Sequence, residues 1–232
     1  MSYLLDWIAL AGFLLCWVSY TQYAKYAARR RHSLSSVMHH FRIDWIRRML
    51  ERHNRVADMA AVGNLERNSA FFASSSLFAI AGLVTVLAAS EQVVALLADI
   101  TLLQASSRTL LETKIGVLIA IYVYGFLSFT WSMRQYGFLS VMLGAAPMPG
   151  ETNVEGAAGS NEAFVTHTAK VMDLAAKQFN YGLRAVYFSL AVLGWMVGPL
   201  GLLVFSVAIV LVLNRREFHS ATLKQLVKAR GL

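Results

Sequence analysis

The sequence predicts an all-α, polytopic membrane bundle of about five transmembrane helices, the last two a short hairpin, with an added cytoplasmic amphipathic helix. Three observations carry this. Apolar runs approach or exceed the roughly 17–25 residues that cross a bilayer. Charged residues make up 15% of the chain, against roughly 25% in a soluble domain. Basic residues crowd beside the apolar runs, as at a cytoplasmic membrane border. The net charge of +8 is therefore assigned to the membrane border, and no nucleic acid is expected. The whole chain, 1–232, reads as one integral membrane domain.

The first span is expected over 4–24, with Tyr20, Tyr23 and Tyr26 at headgroup level. Asp6 occupies the place of a positive n-region and the arginines follow the apolar run, so the segment reads as an anchor with its N-terminus outside. Ten of the 21 Lys+Arg lie between Lys25 and Arg67. There Ser35 or Ser36 is expected to cap an amphipathic helix over 37–61. Met38, Phe41, Trp45, Met49, Val56 and Met59 would share its apolar face. Asp44, Arg47, Arg48, Glu51, Asn54, Arg55 and Asp58 would share the polar one, with Asp44/Arg48 and Glu51/Arg55 paired at i,i+4.

The second span is expected over 70–89, followed by a short, slightly acidic outside segment. A third covers 115–133, its helix capped by Ser106 or Ser107. The Gly/Ala/Pro-rich stretch 144–160 reads as a flexible linker. The last apolar stretch divides at Gly198-Pro199 into legs 181–197 and 199–213, since Pro is favoured at a first helical position. That break also returns Arg215, Arg216, Lys224, Lys228 and Arg230 to the cytoplasm. Cys16, the single cysteine, excludes an intrachain disulfide and reads as a packing residue. No internal repeat of the kind common among secondary transporters is visible.

Arg52 falls in the middle of the expected apolar face, where an unpaired charge is costly. Lipid phosphate, a neighbouring subunit or an anion are its expected partners. Asn64, Glu66 and Arg67 lead into the second span, which carries Ser74 and Ser75 near its start. The third carries Ser128, Ser132 and Gln135 on one stripe with Tyr124 and Trp131, and Arg134 at its cytoplasmic end. Such hydroxyls either pack and bond helices together or line a conduit. No catalytic or metal-binding constellation emerges. His39, His40 and Asp44 give at best a weak pair, and a lipid-acting enzyme with Asp58 or Glu66 as base is a minor reading. No cofactor is expected.

Several segments together resemble an uncharacterised family of bacterial membrane proteins catalogued as domain of unknown function 599. They are 52–58 (RHNRVAD), 63–67 (GNLER), 71–74 (FFAS), 111–114 (LETK), 129–136 (FTWSMRQY), 144–147 (GAAP), 179–185 (FNYGLRA) and 215–218 (RREF). The resemblance implies a multi-span inner-membrane protein and supplies no activity.

Two functions follow as expectations. The first is a homo-oligomeric channel or transporter whose basic mouth (Arg52, Arg55, Arg67, Arg134) favours anions, lined by Ser74, Ser75, Ser128 and Ser132. The alternative is a non-transporting protein in the bacterial inner membrane, C-terminus inside, that binds anionic lipid headgroups or a cytoplasmic partner through the basic helix.

Overall fold

A computed structural model describes residues 2–98, 107–150 and 160–231. Every regular element among them is a helix: α1 (Ser2–Arg30), α2 (Leu34–Leu50), α3 (Val56–Ala88), α4 (Ser90–Ala98), α5 (Arg108–Gly144), α6 (Ser160–Gly194), α7 (Pro199–Phe218) and α8 (Ala221–Arg230). Four stretches within helices are long and apolar enough to cross a membrane: Leu4–Ala28, Val56–Ala88, Arg108–Gly144 and the stretch beginning at Pro199. The fourth expected leg lies at the end of α6, which stops at Gly194 and is not among those four. Polar positions such as Lys177, Asn180 and Arg184 run into its apolar part. Of the expected linker, 151–159 lie outside the described residues.

The expected helix over 37–61 is two helices. α2 ends at Leu50, residues 51–55 form an elbow, and 56–61 open α3. The sequence reason is local. The Asn54 side chain accepts the Val56 amide at 3.0 Å, a turn that competes with continued helix and seats the start of α3. The cap of α2 is also one turn earlier than expected: Ser33 accepts from the Ser36 amide, and the Ser36 hydroxyl accepts the Ser33 amide in return. Of the two expected caps of α5, Ser107 is the one that accepts the Leu110 amide.

α5 is the centre of the bundle, packed on α3 and on α6, while α7 lies against α1 and α6. Its 37 residues make a rod about 55 Å long, well beyond the ~30 Å hydrocarbon core of a bilayer. Two apolar clusters accordingly sit along it. One joins α1, α5, α6 and α7 through Phe13, Leu118, Phe188, Trp195 and Leu202. The other joins α2, α3, α5 and α6 through Ile46, Met49, Val62, Leu139 and Met172. α2 thus spends its apolar side on protein: Val37, Ile46 and Met49 are buried, whereas Phe41 and Trp45 are only half-buried.

Two glycine positions set the helix spacing. A Cβ on Gly182 would stand 2.6 Å from the buried Phe129 ring, so α6 crosses α5 at a separation only glycine permits. At the α6–α7 hairpin, a Cβ on Gly201 would stand 2.2 Å from the Gly194 carbonyl oxygen. The break falls at Gly198-Pro199 as the sequence predicts, with Gly198 at φ 154° and ψ 172° and Pro199 opening α7.

Candidate functional site

The end of the bundle where α2 meets α1, α7 and α8 is here called the basic end; of the candidates, Arg52, Asn54, Arg55 and Asp58 cluster at the elbow that follows α2. Asp58, in the first turn of α3, is 3% exposed, and its Oδ1 accepts from Trp45 Nε1 and from Arg52, both at 2.6 Å. The α3 N-terminus favours a carboxylate at that position. Its Oδ2 is buried and has no hydrogen-bond partner among the described residues.

Arg52 is therefore neutralised from within the chain. It lies in the elbow, not on an apolar helix face, and its side chain is 47% exposed. Arg55 leaves the expected polar face as well. Its guanidinium donates to the Ala146 carbonyl at 2.8 Å and the Pro147 carbonyl at 2.5 Å, tying the elbow to the end of α5. Neither expected i,i+4 pair forms. Arg55 is spent on those carbonyls, and Asp44 pairs with Arg47 at 3.6 Å and with Arg230 of α8.

Two more ties fasten α2 to α6. Asp173 receives Arg42 at 2.7 Å and contacts His39 Nδ1. Arg47 reaches Glu162 at 2.7 Å. His39 thus meets an acid on α6 instead of forming the weak local pair with Asp44. Among the described residues, no group of three His, Cys, Asp or Glu is placed to hold a metal.

The hydroxyl residues separate. Ser75 donates to the Phe71 carbonyl at 2.8 Å and Ser128 to the Tyr124 carbonyl at 2.9 Å, bonds internal to their own helices. Ser74 is exposed on the outer side of α3. Ser132 is buried, donates to the Ala175 carbonyl of α6 at 2.8 Å and meets Ser69 of α3 at 3.2 Å, so it cross-links three helices. Gln135 is buried with its Oε1 unpartnered, while Arg134 is exposed over Phe138. Asn64 and Arg67 bond each other on the exposed side of α3. Glu66 and Arg134 border an open, largely apolar groove between α3 and α5 with Trp131 and Phe138.

The stripe expected on the third span is thus split: Tyr124 and Trp131 are exposed, and Ser128, Ser132 and Gln135 are buried. No single polar path collects the thirteen candidates.

Sequence reasoning missed two groups. At the hairpin end, Asp6 is 4% exposed and accepts from Trp195 Nε1 at 2.6 Å. Lys114, 1% exposed, lies 5.7 Å from the same Trp195 ring. The signal available was Asp6 and Lys114 themselves, ionisable residues at the margins of apolar spans. The second group lies at the basic end, where Lys25, Lys177, Arg184 and Arg216 border two adjoining cavities between α1, α6 and α7.

No characterised protein and no solved structure matches this chain. A family model does, over residues 8–222, under the description "Protein of unknown function, DUF599". With nearly the whole chain matched, its apolar helices in keeping with a membrane protein, the chain belongs to the DUF599 family.

Proposed function

We propose that this protein crosses the membrane five times, with its basic end in the cytoplasm, and that this end holds the anionic surface of the bilayer. The observation that carries the reading is a set of exposed cations. Arg30, Arg31, Arg48, Arg215, Lys224 and Lys228 all emerge at one end, and no carboxylate among the described residues lies within salt-bridge distance of them. Each such cation near an anionic leaflet is worth about 1 kcal/mol. The fifth crossing is the end of α6, which returns to the basic end through the Gly198-Pro199 hairpin and α7.

The channel reading draws less support. Ser75 and Ser128 bond their own helices, and Arg52 and Arg55 are engaged within the chain. One observation still favours it as a second reading: the outer side of α3 is largely exposed and carries Ser74, a face that a homo-oligomer would cover.

Reconstitution separates the two. The lipid reading expects the protein to unfold at higher temperature in nanodiscs of phosphatidylglycerol than of phosphatidylcholine, with the difference shrinking as salt is raised. Equal stability in both lipids refutes it. Ion conductance above that of empty planar bilayers would establish the channel.

A further inference from the structure

Beside the general basic surface lies a discrete concavity where converging cations outnumber acids. Lys25 of α1 and Lys177 of α6 place their ammonium nitrogens 5.6 and 5.9 Å from the centroid of the Tyr181 ring, and the Arg184 guanidinium stands 5.9 Å from it. Arg184 also lies 5.3 Å from the ring of Tyr20, which is 4% exposed. Arg216 of α7 borders the adjoining cavity and donates to the Tyr187 hydroxyl. The one acid in either wall, Glu217, accepts the Ser35 amide at 3.3 Å. Four cations against one carboxylate leave three positive charges around the two adjoining cavities.

Such an arrangement is unfavourable when empty. Like charges repel, and aromatic faces offset only part of that cost. Guanidinium and ammonium groups together match the tetrahedral, doubly charged geometry of phosphate: the fork gives paired donors and the ammonium a point charge. The cavities measure about 250 and 300 Å³ and share Asn180, Arg184 and Glu217. The first is edged by Lys25, Ser35 and Lys177, while the second adds the apolar walls of Leu34, Leu183 and Leu213. One end therefore suits a phosphate group and the other a hydrocarbon or glycerol portion.

We propose that Lys25, Lys177, Arg184 and Arg216 form a binding site for a phosphate-bearing anion between α1, α6 and α7. The ligand is a phosphomonoester or phosphodiester, drawn from a lipid headgroup or from free phosphate. As a lipid site it rests on the reading above; as a free-phosphate site it does not.

The test uses the full chain purified in a zwitterionic detergent, with two probes: inorganic phosphate, and dispersed phosphatidylglycerol against phosphatidylcholine. Binding is read by thermal shift and by native mass spectrometry of retained lipid. The pocket variant Lys25→Gln/Lys177→Gln changes only exposed side chains, so its fold is retained. Arg184→Lys keeps the charge and removes the fork. A surface variant, Arg48→Gln/Lys228→Gln, leaves the pocket intact.

The expected result is a loss of about tenfold or more in phosphate-group affinity for the pocket variant, equal to ~1.4 kcal/mol. Arg184→Lys should weaken it less, and the surface variant should leave it unchanged. Protection by inorganic phosphate but not by phosphatidylglycerol assigns free phosphate to the pocket and removes the lipid form. If the surface variant loses retained phosphatidylglycerol while the pocket variant binds both probes like wild type, the pocket proposal is overturned and the general lipid reading stands. If neither probe binds wild type, the pocket proposal is overturned in both its forms, and the nanodisc comparison alone decides the general lipid reading.

Discussion

Two buried aspartates at opposite ends of the molecule are held in the same way and built very differently. Asp6 and Asp58 each accept an indole N–H at 2.6 Å, from Trp195 and Trp45, and each interacts with a basic side chain, Lys114 and Arg52 respectively. For Asp58 every partner is local: Trp45 and Arg52 lie thirteen and six residues away, and the α3 N-terminus adds its dipole. For Asp6 the indole is 189 residues away and arrives only when α6 packs against α1. Arg52 is half in water, whereas Lys114 is sealed in. A local clamp of this kind forms with its helix pair; a distant one reports that the bundle has closed.

The largest effect should come from the distant clamp. Asp6→Ala leaves a buried indole N–H unsatisfied beside a buried Lys114, a loss of about 3–5 kcal/mol in unfolding free energy, measured by denaturant titration in mixed micelles. A loss no greater than at the elbow would erase the contrast. Asp58→Ala should cost about 2 kcal/mol by the same assay, because Arg52 can turn to solvent and only the Trp45 bond is stranded.

A double-mutant cycle on Arg52→Gln and Asp58→Ala sharpens the point. It should return a coupling of about 1 kcal/mol, reduced by salt. A coupling that ignores salt would mean the pair is shielded from water after all. Smallest are the hydroxyls: Ser132→Ala should cost about 1 kcal/mol for its lost interhelical bond, and Ser75→Ala only a few tenths. Equal costs at the two serines would contradict their different bonding.

How far these features were readable depends on how local they are. Four of the expected spans, the Gly198-Pro199 break and the Ser107 cap depend on neighbours in sequence, and they fall within or at the ends of helices where spacing puts them. The elbow was locally encoded too, by Asn54, but an amphipathic period running on through 51–55 masked it. Reading one continuous helix placed Arg52 on an apolar face it never occupies, and so assigned it a partner from outside. The Asp6 clamp, the Ser132 cross-link and the convergence on Tyr181 join helices far apart in sequence. Periodicity says nothing about which helix lies beside which, so these required the packing of α1, α5, α6 and α7 to become visible.

The length of α5 gives the molecule an axle. Its 37 residues run about 55 Å through both apolar clusters, gripped midway where Phe129 meets Gly182 and where Ser132 bonds the α6 backbone. Arg55 fastens the elbow to the carbonyls just past its end. One stiff element therefore links the elbow to the neighbourhood of Lys114 at the opposite end of α5. Both clusters contain residues of this helix, so the two ends of the bundle stand or unfold together.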